Sequence, residues 1–284
     1  MATAKRRRPA KKRTASPRKN GRSGSFAQWQ RKWKKFWKKN KKAIQGALGF
    51  LVVLVLIALL VIPSMRVSNP GNTYGIDVSS HNGVIEWDEV AENGVQFAVI
   101  RAGSRAYNSG ALREDARFKR NMRHAWFHHV DRGVYFYSQA INVEEAREEA
   151  EFVIKQVNGA ALKLPVFLDI EDTGTKGKGR ADKLSKEQRT AIALAFAEVI
   201  REKGYTPGVY ANRWYLNDRL DADALRAAGI VIWLAEYTTA SAPKYRGAWD
   251  YWQYSQTGRV PGIPGAVDLD RTSSATDKNN DLSS

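Results

Sequence analysis

Cysteine is absent from all 284 residues, which excludes a disulfide framework, thiol catalysis and Cys-ligated zinc together. That absence fixes no compartment, because a cysteine-free protein is at home in oxidising and reducing surroundings alike. Two further absences divide the chain. Residues 1–42 hold 18 Lys and Arg and no acidic side chain, and residues 43–65 hold no charge. Residues 66–284 carry 28 basic and 29 acidic groups, so the net charge of +17 belongs to the first 42 residues. A basic total invites a nucleic-acid partner, but a basic tail on a nearly neutral domain does not require one.

Residues 1–25 are rich in Ala, Pro, Ser, Gly, Lys and Arg. They lack the apolar content to bury a core and are expected to be disordered. In residues 26–42, Phe26, Trp29, Trp33, Phe36 and Trp37 fall within an arc of about 100° on a helical wheel. Bases occupy the rest, a pattern suited to the surface of an anionic bilayer. A solvated basic linker with interfacial aromatics is the alternative. The run 43–65 is long enough to span a membrane, which takes about 20 apolar residues. A cleaved signal peptide competes with this reading. The long basic stretch before the run, its length and the lack of a small-x-small cleavage site favour an uncleaved anchor. Positive charge stays on the cytoplasmic side. The expectation is therefore a single-pass protein of the cytoplasmic membrane, N-terminus inside, its C-terminal domain on the periplasmic or cell-wall side. Lipid is the expected partner of the tail, and nucleic acid is not expected.

After a linker, 66–73, strand-like runs alternate with helical patterns. The strands are expected at Tyr74–Val78, Gln96–Ala102, Gly133–Tyr137, Pro165–Ile170, Pro207–Ala211, Ile230–Glu236, Tyr251–Ser255 and Ala266–Leu269. The helices are expected at Trp87–Glu92, Glu114–His129, Val143–Val157 and Lys186–Lys203, with Ser185 and Gln188 forming a capping box for the last. Near-continuous apolar strands alternating with helices predict an α/β fold with a parallel sheet, and eight strands predict a barrel. The domain is placed at 74–272, followed by a polar tail, 273–284.

Function in such a barrel gathers at the C-terminal ends of the strands. Asp77, Asp169, Glu171, Glu236 and Asp268 lie there. Asp169 and Glu171 are two apart and face the same way on a strand. Two inward carboxylates are costly in a core, but suit a cleft in which one carboxyl holds a proton and another does not. Glycoside hydrolysis has that requirement, and crowding raises proton affinity enough to keep an acid protonated near neutral pH. Tyr135, Tyr137, Tyr210, Trp233, Tyr237, Trp252 and Tyr254 offer faces for sugar rings. Each acid alone reads equally well as a helix N-cap.

Residues 74–272 resemble glycoside hydrolase family 25, the lysozyme-type muramidases. The resemblance rests on Tyr74–Gly83 (YGIDVSSHNG), Phe97–Gly103 (FAVIRAG), Gly133–Gln139 (GVYFYSQ) and Pro165–Glu171 (PVFLDIE). It continues through Gly208–Asn212, Ile232–Glu236, Trp252–Tyr254 and Val267–Leu269. It implies an irregular, TIM-like (β/α) barrel with fewer helices than strands. It also implies cleavage of the β-1,4 bond between N-acetylmuramic acid and N-acetylglucosamine in peptidoglycan. Glu171 would be the general acid, Asp169 would assist, and Asp77 and Asp268 would complete the acidic centre. Arg101, Tyr137, Tyr210, Trp233, Glu236, Tyr237 and Gln253 become the candidate substrate contacts. The second catalytic role stays open between the substrate's N-acetyl carbonyl, oriented by Asp169, and Asp169 or Asp268 acting directly. No cofactor and no metal are expected, and a monomer is.

The chain departs from the family pattern at Asp270, where Asn is expected, at Tyr135–Tyr137, which lacks a central His, and at the bulky Ala125–Val130. His124 and His128 lie four apart without the Glu of a zinc-protease motif. His81 borders the expected cleft. Gly174–Gly179 has a phosphate-loop composition but not its order, and reads as a mobile loop. Two other functions remain open: a non-catalytic glycan-binding module on the same barrel, and a docking protein driven by its basic tail.

Overall fold

A computed structural model describes residues 29, 31–35, 38–40, 73–175 and 177–273. The chain divides into two units, 1–68 and 69–284. In the first unit Trp29, 31–35 and 38–40 are helical, and Trp29 and Trp33 sit one turn apart with ring centroids 5.8 Å from each other; Phe26, Phe36 and Trp37 of the expected aromatic face lie outside the described residues. The expected disordered segment 1–25, spanning helix 43–65 and most of the linker and C-terminal tail lie outside the described residues. Among the described residues no helix is long and apolar enough to cross a membrane.

The second unit is built on nine strands: β1 (Tyr74–Val78), β2 (Phe97–Arg105), β3 (Leu112–Glu114), β4 (Asp131–Tyr137), β5 (Val166–Asp169), β6 (Pro207–Asn212), β7 (Val231–Ala235), β8 (Tyr251–Gly258) and β9 (Val267–Thr272). Strands β1, β2, β4, β5, β6, β7 and β8 run parallel in that order, and β9 closes the ring between β8 and β1. β9 is antiparallel to both neighbours, and so is β3 to β2, where a parallel barrel was expected. The segment between β8 and β9 is too short for the dozen or so residues a parallel crossover takes, so the chain returns as a hairpin.

Helices α1 (Trp87–Glu92), α2 (Phe118–Phe127), α3 (Val143–Val157), α4 (Lys186–Glu202) and α5 (Ala222–Ala227) cover the outside, with a π turn at Tyr215–Arg219. Caps set their ends. The Ser185 hydroxyl accepts from Gln188 N while the Gln188 side chain accepts from Ser185 N, the expected capping box. Asn142 caps α3 through Glu145 N, and Asn158 leaves that helix at φ 49°, a left-handed geometry Asn tolerates. The helix expected from Glu114 begins later, at Phe118. Buried Asp115 accepts from Ser80 N, Arg117 N and Arg101, so this carboxylate holds a turn rather than a helix.

The core has two layers. Ile76, Ile100, Phe136, Leu168, Val209 and Ile232 face the helices. Phe97, Phe167, Tyr210 and Trp233, with Tyr135 and Tyr251 against them, fill the barrel's interior. The wall is thin where those rings sit: a side chain at Gly75 would strike Phe97, and one at Gly208 would strike Phe167. One buried ion pair ties wall to shell. Arg105 Nε donates to Glu149 Oε1 of α3 at 2.8 Å, and Ser138 Oγ to its Oε2 at 2.7 Å.

Candidate active site

The aromatic interior forms a floor, and carboxylates stand on it. Asp77 on β1, Asp169 at the end of β5, Glu171 two residues on, and Asp268 on β9 line one cavity of about 260 Å³. Tyr135, Tyr210, Trp233, Tyr237, Gln253 and Gln256 complete its wall. Strand register assembles it: Asp77 lies opposite Asp268, and Asp169 opposite both Tyr137 and Tyr210. Side chains two apart share a face, so Asp268 and Asp270 both point into the barrel.

Hydrogen bonds run from the rim to the floor. The Tyr237 and Tyr210 hydroxyls donate to Gln253 Oε1 at 2.9 and 2.8 Å. Gln253 Nε2 donates to Asp77 Oδ2 at 2.6 Å. Below, Trp233 Nε1 donates to Asp270 Oδ1 at 2.8 Å. Asp270 is fully buried, no donor of the protein reaches its Oδ2, and its charge adds to the burial that raises Asp77. Asp169 Oδ1 is likewise buried with no donor of the protein on it.

Burial and mutual repulsion raise every proton affinity here. Burial, then the charges of Asp268 and Asp172, pushes Glu171 up to about 7. Burial and then the Glu171 charge hold Asp169 well above the usual carboxylate range, against the opposing pull of Arg101. Asp77 is raised by burial and by Asp270 and Asp268. Burial lifts Asp268 to about 6. It also lifts Asp270 to about 8, with Asp268 adding to it and the Trp233 bond opposing. Near neutral pH the cluster therefore holds protons. Glu171, the half-buried member at the mouth, is placed to hand one over, while Asp169 is buried behind it.

Four expected substrate contacts, Tyr210, Trp233, Tyr237 and Gln253, line the cavity; Arg101, Tyr137 and Glu236 do not. Arg101 donates to Asp115 Oδ2 at 2.8 Å and to Ser80 Oγ at 3.1 Å, and acts on Asp169 through its charge. Tyr137 stands beside the mouth, its hydroxyl pKa raised by burial and the Glu171 charge. Glu236 corrects the expectation. Its carboxylate accepts from Lys244 N at 3.1 Å and Tyr245 N at 3.0 Å and pairs with Arg213 at 3.5 Å. The acid at the end of β7 thus holds the loop that begins with Tyr237 and does not enter the cleft. Gln256 was missed, since a bulge in β8 sets its direction. Asp270, where Asn was expected, lies buried beneath the cavity against Trp233. His81 sits exposed on the turn Ser80–Asn82 after β1. His124 and His128 lie at the end of α2, and among the described residues no three His, Cys, Asp or Glu are grouped as metal ligands.

Lysozyme M1 of Streptomyces globisporus is 28% identical over 219 residues, which are 74% of this chain and 71% of that protein. The crystal structure of the bacterial lysozyme from Streptomyces coelicolor superposes with a TM-score of 0.60 at 27% identity, covering 74% of this chain and 99% of that one. The modular autolysin LytC of Streptococcus pneumoniae, solved in complex with a synthetic peptidoglycan ligand, gives a TM-score of 0.61 at 25% identity. The match covers 71% of this chain and only 47% of LytC. A family model, glycosyl hydrolases family 25, matches residues 76–263, and the chain belongs to that family.

Proposed function

We propose that the chain hydrolyses the β-1,4 bond between N-acetylmuramic acid and N-acetylglucosamine in peptidoglycan. The observation that carries this reading is the pairing of a proton-holding Glu171 at the mouth with a buried Asp169 on the same strand end. In the first step Glu171 gives its proton to the glycosidic oxygen as that bond breaks. The carbonyl oxygen of the substrate's 2-acetamido group closes onto the anomeric carbon and forms an oxazolinium ring. With Glu171 protonated, its charge no longer raises Asp169; the Asp169 carboxylate, whose Oδ1 no protein donor occupies, accepts the acetamido N–H and steadies the positive charge. In the second step water attacks the anomeric carbon, its proton passes to the Glu171 carboxylate, and the ring opens. The anomeric configuration is retained. Direct attack by a carboxylate is the usual scheme for retaining enzymes; the depth of Asp169 and its open acceptor favour the neighbouring-group route.

The enzyme is proposed to be held at the cytoplasmic membrane by residues 43–65, its basic tail inside against anionic lipid and its barrel on the wall side. Alkaline extraction of membranes and N-terminal sequencing of the mature chain test this. Retention with residues 1–65 intact is expected, and a mature chain that begins after Met65 overturns it. For the catalytic claim, the full chain in detergent is incubated with purified peptidoglycan. Cleavage is expected to fall by about 10²–10⁴ in Glu171→Gln, the range for loss of a general acid. An undiminished rate in that variant contradicts the assignment.

A further inference from the structure

Two aromatic side chains at the end of α2 take no part in the core. Trp126 is 64% exposed and Phe127 70%, the highest values of any large apolar side chain among the described residues. The inner face of α2 is complete without them, through Phe118, Met122 and Ala125. The helix also carries Lys119, Arg120, Arg123 and His124 and no acidic residue. Single exposed aromatics are ordinary on protein surfaces. An adjacent Trp–Phe pair on a basic helix is the composition that settles at a lipid headgroup boundary.

The place of the pair gives this composition a meaning. α2 runs back from the C-terminal rim and delivers the chain to β4 at Asp131, four residues past Phe127. There Asp131 N donates to Gln96 O, and Gln96 N to Tyr74 O, each at 2.9 Å. Asp131 and Tyr74 therefore stand two strand spacings apart, about 10 Å, at the end of the barrel away from Glu171. Tyr74 begins the barrel, and residues 66–73 join it to the uncharged run 43–65. Eight residues reach at most about 29 Å. If that run crosses a bilayer, the end of the barrel that carries Trp126 and Phe127 is tethered within reach of the lipid headgroups.

We infer that the Trp126–Phe127 end of α2, with the exposed base Arg123, is a docking surface for the anionic bilayer to which the chain is anchored. The aromatic rings enter the headgroup layer and Arg123 faces its phosphates. This docking turns the acidic cleft away from the membrane, toward glycan. The inference rests on the anchor reading for the tether, but it is measured separately from it.

The absence of cysteine allows one label at a time. Full chains carrying Asp131→Cys or Ser241→Cys, the latter on the loop after Tyr237, are labelled with a fluorophore. They are reconstituted in phosphatidylcholine–phosphatidylglycerol vesicles that contain a headgroup nitroxide lipid. Quenching at position 131 is expected to exceed that at 241 several-fold, and to be lost when Trp126→Ser and Phe127→Ser are added. Hydrolysis of soluble peptidoglycan fragments by that variant should stay within about twofold of wild type. Equal quenching at 131 and 241, or quenching that survives the double substitution, overturns the docking surface. An alkaline wash of the same vesicles reads the anchor independently. Chain retained without quenching at 131 overturns the docking alone, and chain released overturns the anchor reading.

Discussion

The chemistry of the site rests on residues that a water-exposed surface would leave ionised. Glu171, raised to about 7, is a usable acid near neutrality because burial and its neighbours hold its proton. The pH profile of kcat/KM should therefore be a bell. The alkaline limb follows loss of the Glu171 proton near 7, and the acid limb follows protonation of its neighbours, with Asp268 at about 6. A profile flat from pH 4 to 8 contradicts the shared-carboxylate cluster. Asp270 makes a separate prediction about stability. Its folded pKa, about 8, exceeds the ordinary unfolded value near 4. The unfolded chain loses that proton first, so the group costs stability as pH rises from about 4 to 8. Asp270→Asn keeps the shape and removes the ionisable group, and it should raise the melting temperature by a few degrees at pH 8 with little change at pH 4. An equal shift at both pH values would show that Asp270 does not carry the proton. Strand ends and a two-residue period drew attention to Asp77, Asp169, Glu171 and Asp268, and the family resemblance grouped them; Asp268 reaches the same cavity from the start of an antiparallel strand. Pattern could not show that Glu236 turns to the amides of Lys244 and Tyr245, or that Asp270 sits on Trp233. Those directions depend on a loop and on a strand register that only the closed ring sets.

Among the elements, local signals were legible where they are strong. The capping box of Ser185 and Gln188 places α4 within a residue of its expected start and end. Ser185→Ala should cost about 1 kcal/mol, the usual price of a lost N-cap, measured by urea unfolding; a loss under about 0.3 kcal/mol would mean that packing alone sets the helix end. Gly208 is a bare position beside Phe167, and Gly208→Val should destabilise by about 1–3 kcal/mol through overpacking. A neutral result would show that the aromatic interior yields easily. Elements built from few residues or from distant partners were not legible. β3 has three residues and exists through its pairing with β2, α5 and the π turn are shorter than a clear helical period, and β9 gives no local sign that it runs antiparallel.

For the whole molecule, charge divides the labour. The tail holds the surplus of positive charge and the barrel is close to neutral, so ionic strength should separate them. Deleting residues 2–25 should weaken binding to anionic vesicles at low salt and leave peptidoglycan cleavage unchanged, and about 1 M salt should remove most of the difference by screening. A salt-independent loss would mean that the tail acts by something other than charge. The barrel itself combines a closed ring, an aromatic floor and carboxylates lining the cavity above it, and its belonging to glycosyl hydrolases family 25 accords with that construction. The most direct test is the identity of the new chain ends after the full protein acts on purified peptidoglycan. Reducing ends of N-acetylmuramic acid from wild type, and a loss of at least about 100-fold in Glu171→Gln, are predicted. N-acetylglucosamine ends, no release, or equal release by the variant would contradict the account.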